Sequence, residues 1–259
     1  MGVHEEPQRW AEEQFAGAKL NAIRRVARVK EIAEAMAIHP GRSLPQLCRS
    51  PYAVKATYNL FTHEGATPEN IQAGHRALVW DAMRQPGGYL LVEDTTELSW
   101  SGKQAIAGLG PIGNSAAGLQ GFFLHTVLSV RWPATPQDTN KRQPVEVIGL
   151  GDQQYYVRTP CRQPRESSQE RLKRARESQV WPRARHRVGR APAGVRWVRV
   201  ADREADIYEY LVSCQELGHG FVMRAAKDRA LSHPETGKRT GRLFTAARGG
   251  VPLGELTLE

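Results

Sequence analysis

Two aspartates in this sequence stand directly after apolar segments that have the length and composition of buried strands. Asp94 follows Tyr89–Val92 by way of Glu93, and Asp202 follows Val195–Ala201. Two carboxylates that meet at neighbouring strand ends repel each other and need a shared proton or a cation. Because no cluster of Cys or His lies near them in sequence, the expected cation is Mg²⁺, with Mn²⁺ as a substitute. Two such ions about 4 Å apart activate a hydroxyl and stabilise the leaving oxygen of a phosphodiester.

The order of elements along the chain decides whether these two aspartates meet. The sequence predicts a helical domain over residues 1–75 and, over residues 76–259, strand, strand, strand, helix, strand, helix, strand. Successive strands form an antiparallel meander, and a helix then returns the chain for a parallel strand. This α/β order is typical of a ribonuclease H-like mixed sheet, in which the first and fourth strands are parallel neighbours. A lone aspartate after a strand is more often a turn or cap residue, so the pairing of Asp94 with Asp202 is what favours a metal site.

Capping residues and hydrophobic spacing set the predicted boundaries. Ser50-Pro51 and Thr67-Pro68 each combine an N-cap residue with a proline in the first helical turn. The predicted helices are Gln8–Ala18, Leu20–Ile38, a helix from Pro51 through Leu60, one from Pro68 to about Met83, Glu166–Val180 and Glu204–Cys214. The predicted strands are Tyr89–Val92, Phe122–Val130, Val145–Leu150, Val195–Ala201 and Phe221–Ala225.

The charge of the chain favours a polyanionic partner. The formal net charge is +9, and the segment from Arg158 to Arg190 holds eleven Lys and Arg residues against three acids. Such a segment is either a solvated insert or a surface that follows a phosphate backbone and releases counterions, and we favour the second. In the N-terminal domain, Arg24 and Arg28 are four residues apart and share a helix face, while Ile23 lies toward another. A solvated basic face is the alternative there.

Several function classes are disfavoured. Cys48, Cys161 and Cys214 are too far apart for a disulfide framework or a zinc finger, which fits a reducing cytosol. The first residues lack a secretory pattern, and the longest apolar run is too short to span a bilayer. Gly108–Gly113 spells G-x-G-x-x-G but neither directly follows a strand nor opens a helix, so dinucleotide binding is rejected. His125, inside a predicted strand, is expected to be a hydrogen-bonded core residue. We expect a cytoplasmic protein with no membrane partner and no small-molecule cofactor.

Two motifs carry a resemblance to a known family. LVEDTTELSW (Leu91–Trp100) and VADREADIYEYL (Val200–Leu211) resemble the first two acidic motifs of the insertion-sequence-four family of bacterial DNA transposases. The D-R-E-A-D run, Asp202–Asp206, is the more specific of the two. The resemblance extends along the chain to Arg9–Leu20, Ile23–Arg28, His39–Pro45, Ala53–Phe61, Gly110–Gly113, Phe122–Leu128 and Glu177-Ser178 with Trp181.

The resemblance implies a helical DNA-binding domain followed by a ribonuclease H-like catalytic core, acting as a homodimer on double-stranded transposon ends. Three acids of such a core hold two Mg²⁺ ions and drive strand nicking, hairpin formation and strand transfer. By motif position, Asp94 and Asp202 are the first two of these acids. The residues expected to contact DNA are Arg24, Arg25, Arg28, Lys30, Arg171, Lys173, Arg174, Arg203 and Arg224.

The sequence departs from the family pattern in two places. The third acid of the family belongs to a Tyr-x2-Arg-x3-Glu-x6-Lys constellation that this sequence lacks, and Glu255 and Glu259 stand in an alternation typical of solvent-facing strand residues. We therefore expect the N-terminal portion of a transposase, truncated before its last core helix, that binds Mg²⁺ and DNA without cleaving DNA. The alternative is a non-catalytic DNA-binding or dimer-poisoning fragment that regulates transposition. The second departure is Asn21-Ala22 in place of Gly-Asp, which predicts a weakened local turn or cap.

Overall fold

The computed structural model describes residues 6–101, 106–113, 119–132, 145–158 and 180–251, and its N-terminal part is helical. The helices are α1 (Pro7–Phe15), α2 (Ile23–Ile38), α3 (Leu44–Leu47), α4 (Pro51–Phe61), α5 (Pro68–Ile71) and α6 (Ala73–Met83). Leu20, Val29, Ile32 and Leu60 form the buried centre of this part. The predicted helical N-terminal region is thereby confirmed.

Capping residues set the starts of two of these helices as predicted. The side chains of Ser50 and Thr67 each accept a hydrogen bond, at 3.2 Å, from a backbone N–H three residues further on. The predicted helix from Pro68 to Met83 is interrupted at Gln72, which ends α5 and precedes α6. Helix α3, Leu44–Leu47, was not predicted, because four residues are too few to show a helical period.

In the described residues, six strands form one mixed sheet. They are β1 (Gly87–Trp100), β2 (Gly110–Pro111), β3 (Gln120–Trp132), β4 (Glu146–Tyr156), β5 (Val195–Ala201) and β6 (Gly220–Met223). The order is β2-β3-β1-β5-β6, and β4 also pairs with β3. Strand β3 is antiparallel to β1, β2 and β4, whereas β5 is parallel to both β1 and β6. The predicted mixed sheet is confirmed, with β1 and β5 as parallel neighbours.

The elements around β5 differ from the prediction in two places. Helix α7 (Val180–Val188) precedes β5, whereas the predicted helix Glu166–Val180 lies, apart from its last residue, outside the described residues. The predicted helix Glu204–Cys214 is instead a 3-10 turn (Arg203–Ala205) followed by α8 (Tyr208–Glu216), because Ile207 between them is extended. Strands β7 (Ala230–Ser232) and β8 (Arg239–Arg242) then form a hairpin, and α9 (Leu243–Arg248) follows.

Helices α6, α7 and α8 cover one face of the sheet. Met83 of α6 and Ala184 of α7 pack with Leu91 and Trp197 of the sheet in one buried cluster. A second cluster joins α7 to α8 through Val180, Trp181, Ala205, Tyr210 and Cys214. Because side chains alternate along a strand, the odd-numbered residues of β1 face the helices and the even-numbered ones face away. None of the helices described is long and apolar enough to cross a membrane.

Candidate carboxylate site and nucleic-acid interface

The two sequence-predicted aspartates lie side by side in the sheet. The parallel pairing of β1 with β5 ends at Glu93 and Ala201, and Asp94 and Asp202 are the next residue on each strand. Both are exposed. The sequence predicts that the strand ends just before Asp94, and this is wrong. Strand β1 continues to Trp100 in antiparallel pairing with β3. The juxtaposition therefore arises where β5 stops, not where β1 stops.

Asp202 is also a cap residue, the ordinary role of an aspartate that follows a strand. One of its carboxylate oxygens accepts a hydrogen bond from the backbone N–H of Glu204 at 2.7 Å, which caps the 3-10 turn. Partial burial, together with the carboxylates of Asp202, Asp94 and Glu97, raises the pKa of Glu204 although Arg203 opposes the shift. The negative charges of Asp202 and Asp94 therefore act on Glu204, two residues after Asp202.

The geometry by itself does not define a complete metal centre. Within the described residues, no group of three or more Cys, His, Asp or Glu side chains is arranged to hold a metal ion. Glu255 and Glu259, the acids near the C-terminus, lie outside those residues. What is present is a pair of exposed carboxylates at equivalent positions of neighbouring parallel strands.

A buried ion pair lies on the opposite face of the same two strands. Glu93, 2% exposed, accepts hydrogen bonds from the guanidinium of Arg199 and, at 2.7 Å, from the hydroxyl of Tyr210. Burial by itself raises the pKa of Glu93, yet the positive charge of Arg199, the nearby imidazole of His125 and the hydrogen bond from Tyr210 hold that pKa below its ordinary value. Glu93 and Arg199 thus tie β1 to β5 beneath the two aspartates, and α8 closes over them through Tyr210.

Two histidines extend this buried network. His125 of β3 is fully buried, is hydrogen-bonded to Thr95 Oγ1 at 2.9 Å and lies 3.4 Å from Glu93. The expectation that His125 is a hydrogen-bonded core residue is therefore confirmed. His219 accepts a hydrogen bond from Arg199 Nε at 3.1 Å, and its burial, with the positive charge of Arg199, lowers its pKa to about 4. The sequence does contain one signal for this buried network. Arg199 stands two residues after Trp197 and therefore on the same, buried side of β5.

A basic residue occupies the position next to the two aspartates on the third parallel strand. Met223 of β6 pairs with Ala201 of β5, so Arg224 follows β6 as Asp202 follows β5. The backbone N–H of Arg224 donates to Ala201 O at 3.4 Å. The side chains of Arg224 and Arg203 are exposed. Positive groups therefore flank the carboxylate pair from β6 and from the 3-10 turn.

The four basic residues predicted on α2 differ in their surroundings. Lys30 pairs with Glu12 of α1 at 2.6 Å, Arg28 pairs with Glu31 at 2.6 Å, and Arg25 donates to a backbone carbonyl at 3.0 Å. Arg24 is exposed, and its side chain makes no hydrogen bond or ion pair with another described residue. Of the four, Arg24 is the one that presents an uncommitted charge to solvent.

The start of α2 explains the unusual Asn21-Ala22 pair. Asn21 has a φ of 54°, a left-handed conformation that Gly adopts freely and Asn tolerates. Ala22 is the N-cap of α2 and makes no side-chain capping hydrogen bond. The predicted weakening therefore affects the cap, while the turn is retained. Ile23, expected on the apolar side of α2 away from the basic face, is instead 90% exposed.

Sequence reasoning misses a second basic face, at the start of α4. Arg49 precedes the helix, Tyr52 is 79% exposed in its first turn, and Lys55 is exposed one turn further on. Neither basic side chain pairs with another described residue. Arg42 and Arg49 also line a groove of about 480 Å³ between α2, α3 and α4. The signal in the sequence was the three-residue spacing of Arg49, Tyr52 and Lys55 around the helix start at Ser50-Pro51, which places them on one side of the helix.

The basic segment from Arg158 to Arg190 is only partly described. Arg171, Lys173 and Arg174 lie outside the described residues. Arg185 is buried on α7, and Arg187 pairs with the buried Asp152 at 3.0 Å. Arg190 donates to the backbone carbonyl of Glu216 at 2.6 Å. These three arginines have partners within the protein, and the role of the segment as a whole stays a prediction.

Comparison with known families identifies the N-terminal part. Residues 7–66 match the family model described as transposase DNA-binding. The matched range spans α1 to α4 and contains the basic faces of α2 and α4. The chain therefore carries a transposase DNA-binding domain, which supports a role in transposition and binding to DNA. The domain boundary at residue 75 and the named contact residues stay predictions.

Proposed function

We propose that the chain is part of a cut-and-paste DNA transposase of the insertion-sequence-four type. Its sheet would be the ribonuclease H-like core, and two copies would act together on two transposon ends. One observation carries the proposal. A transposase DNA-binding domain is followed in the same chain by Asp94 and Asp202 at equivalent positions of neighbouring parallel strands.

The donor set of the sheet edge suits a hard divalent cation. Asp94 and Asp202 offer carboxylate oxygens, the ligands that Mg²⁺ and Mn²⁺ prefer, and no thiol or imidazole stands beside them in either motif. The raised pKa of Glu204, which follows from its burial and the nearby carboxylates, agrees with an excess of negative charge that a cation would offset. When bound, the metal would polarise the phosphodiester and activate the attacking hydroxyl.

The residues of this chain would hold and orient the nucleic acid around that centre. Asp94 and Asp202 would be the protein ligands of the metal. Arg224 and Arg203, exposed beside them, would contact phosphate oxygens of the DNA backbone, which fixes the position of a strand without reading its sequence. The DNA-binding domain would contribute further phosphate contacts through the unpaired side chains of Arg24 and Lys55.

A salt titration with matched variants tests the DNA interface. The slope of log K against log salt is negative, and its magnitude, called the salt slope or simply the slope below, falls by about 0.9 for each lost phosphate contact. We expect that decrease for Arg24→Ala in the 259-residue chain bound to linear duplex DNA, and again for Lys55→Ala. Arg9→Ala is the control, because Arg9 is an exposed arginine of the same domain that is already paired with Glu6 and Glu13. Equal slopes for wild type, Arg24→Ala and Lys55→Ala would contradict the assignment of this interface.

A Mn²⁺ titration followed by electron paramagnetic resonance tests the carboxylate site. We expect Asp94→Asn and Asp202→Asn each to weaken Mn²⁺ binding to the full chain. Glu235→Gln, which removes one negative charge from the exposed turn between β7 and β8, should bind Mn²⁺ as the wild type does. If both aspartate variants retain wild-type affinity, the metal-site proposal is wrong, whatever the outcome for DNA binding.

A further inference from the structure

The last residue of the D-R-E-A-D run, Asp206, has no part in the proposed metal site. It is 6% exposed and follows the 3-10 turn that Asp202 caps. Its position four residues after Asp202 and its burial set it apart from the exposed carboxylates at the sheet edge. Its hydrogen-bond partners indicate another task.

All the partners of the Asp206 carboxylate come from the segment that follows β6. One oxygen accepts hydrogen bonds from the backbone N–H groups of Ala226 and Lys227, both at 2.8 Å. The other accepts from Arg229 Nε at 3.1 Å and from Arg229 Nη2. Arg229 Nη2 also donates to the backbone carbonyl of Asp206 at 2.6 Å. Four donors saturate the carboxylate, which leaves it no free lone pair for a metal ion.

These contacts join the two sides of the proposed site. Asp206 belongs to the turn after β5, and residues 224–229 belong to the loop after β6. The loop has no regular secondary structure to fix its backbone, so side-chain contacts hold it. Asp206 binds it at Ala226, Lys227 and Arg229, and Asp228 near its end accepts a hydrogen bond from the backbone N–H of Phe244 at 2.9 Å. The anchored loop begins with Arg224, next to Asp202 across β5 and β6, and contains Lys227, whose side chain is exposed.

We propose that Asp206 and Arg229 form a clamp that positions Arg224 and Lys227 as contacts for DNA phosphates beside Asp94 and Asp202. The clamp rests on the proposed function, because its value depends on a phosphate being bound there. Asp206 is a positioning residue and touches neither DNA nor metal. A guanidinium and an ammonium held on a fixed backbone lose less conformational freedom on binding than the same groups on a mobile loop.

The experiment compares salt slopes for duplex DNA in single and combined variants of the full chain. Arg224→Ala/Lys227→Ala should lower the slope by about 1.8, which corresponds to two contacts. Asp206→Asn should lower the slope in the wild-type background and have no further effect in the Arg224→Ala/Lys227→Ala background, because the clamp acts through those two side chains. Asp228→Asn removes one charge from the same loop, retains a side-chain oxygen that can accept from the backbone N–H of Phe244 and leaves the clamp contacts in place, so it should keep the wild-type slope.

Hydrogen exchange gives a second measurement that needs no DNA. The amides of Ala226 and Lys227 should exchange faster in Asp206→Asn and in Arg229→Met than in the wild type or Asp228→Asn. Arg229→Met removes half of the clamp and leaves Asp206 in place, so it tests the proposal if Asp206→Asn does not fold.

The outcomes separate the clamp from the function on which it rests. If Arg224→Ala/Lys227→Ala lowers the slope but Asp206→Asn and Arg229→Met do not, the clamp is overturned and the DNA contacts stand. If Arg224→Ala/Lys227→Ala leaves the slope unchanged, this DNA interface and the clamp both fail. Unchanged exchange of both amides in the two clamp variants also overturns the clamp.

Discussion

Strands β1 and β5 carry charged residues on both faces of the sheet, and the two sets differ in how they are neutralised. On the helix-covered face, Glu93 and Arg199 are buried and pair with each other. On the other face, Asp94 and Asp202 are exposed at the end of the same pairing, and neighbouring carboxylates add to their charge. A neutralised buried pair fixes the strands, whereas exposed carboxylates that are not paired with each other's strand are available to a ligand.

The largest expected effect separates the two faces by stability. Glu93→Gln leaves the Arg199 charge buried without its partner, and breaking a buried pair in this way lowers the free energy of unfolding by about 3–5 kcal/mol. Asp94→Asn, one residue away on the exposed face, should change it by no more than about 0.5 kcal/mol. Urea unfolding of both variants checks the contrast. Equal losses for the two would show that Asp94 is also a structural residue.

A double variant sharpens the same comparison. Glu93→Leu/Arg199→Met removes both buried charges, so it should be more stable than Glu93→Gln, which removes one. The measurement is again urea unfolding at neutral pH. A double variant no more stable than Glu93→Gln would mean that the hydrogen bonds of the network, rather than the unpaired charge, dominate the loss.

The next effect concerns pH and the buried network alone. Burial and Arg199 lower the pKa of His219 from 6.5 to about 4, so between these values the unfolded chain binds more protons than the folded chain. Stability should therefore fall as the pH drops from about 6.5 to about 4. His219→Gln should make this fall shallower. Some dependence should remain, because burial and Arg76 also lower the pKa of His75.

Urea unfolding at a series of pH values measures this dependence. The Asp94→Asn variant should follow the wild-type curve across the window in which His219 titrates. A His219→Gln curve as steep as that of the wild type would show that another group, not His219, couples folding to pH in this window.

The smallest expected effect probes the exposed face. Because burial and Asp202 lead the causes that raise the pKa of Glu204, Asp202→Asn should lower that pKa, and Asp94→Asn should lower it less. Burial remains in both variants, so the pKa should stay above its ordinary value. Carboxyl-detected NMR titration in metal-free buffer measures the change. Asp81→Asn on α6 is the control, and an identical pKa of Glu204 in all variants would contradict the described proximity.

Local signals predict those elements that carry their own determinants. Strand β5 has the predicted bounds, Val195–Ala201, because a run rich in valine and tryptophan ends there at an aspartate. The start of α4 follows from Ser50 and Pro51 in the same way. Strand β1 is longer than its apolar core predicts, since the polar residues up to Trp100 are held by pairing with β3. Pairing across the sheet overrides the local preference of those residues.

In the candidate site, too, some features follow from the local sequence and others from contacts between distant residues. The sequence by itself determined that Asp94 and Asp202 follow two strands and, with the order of elements, that those strands are parallel neighbours. Only the tertiary structure decided that Glu93, next to Asp94, is buried against Arg199 and that Asp206 anchors the loop after β6. The reason is physical. A strand or a cap depends on residues that are close in the chain, whereas the partner of a charge depends on residues 106 positions away for Glu93 and about 20 for Asp206.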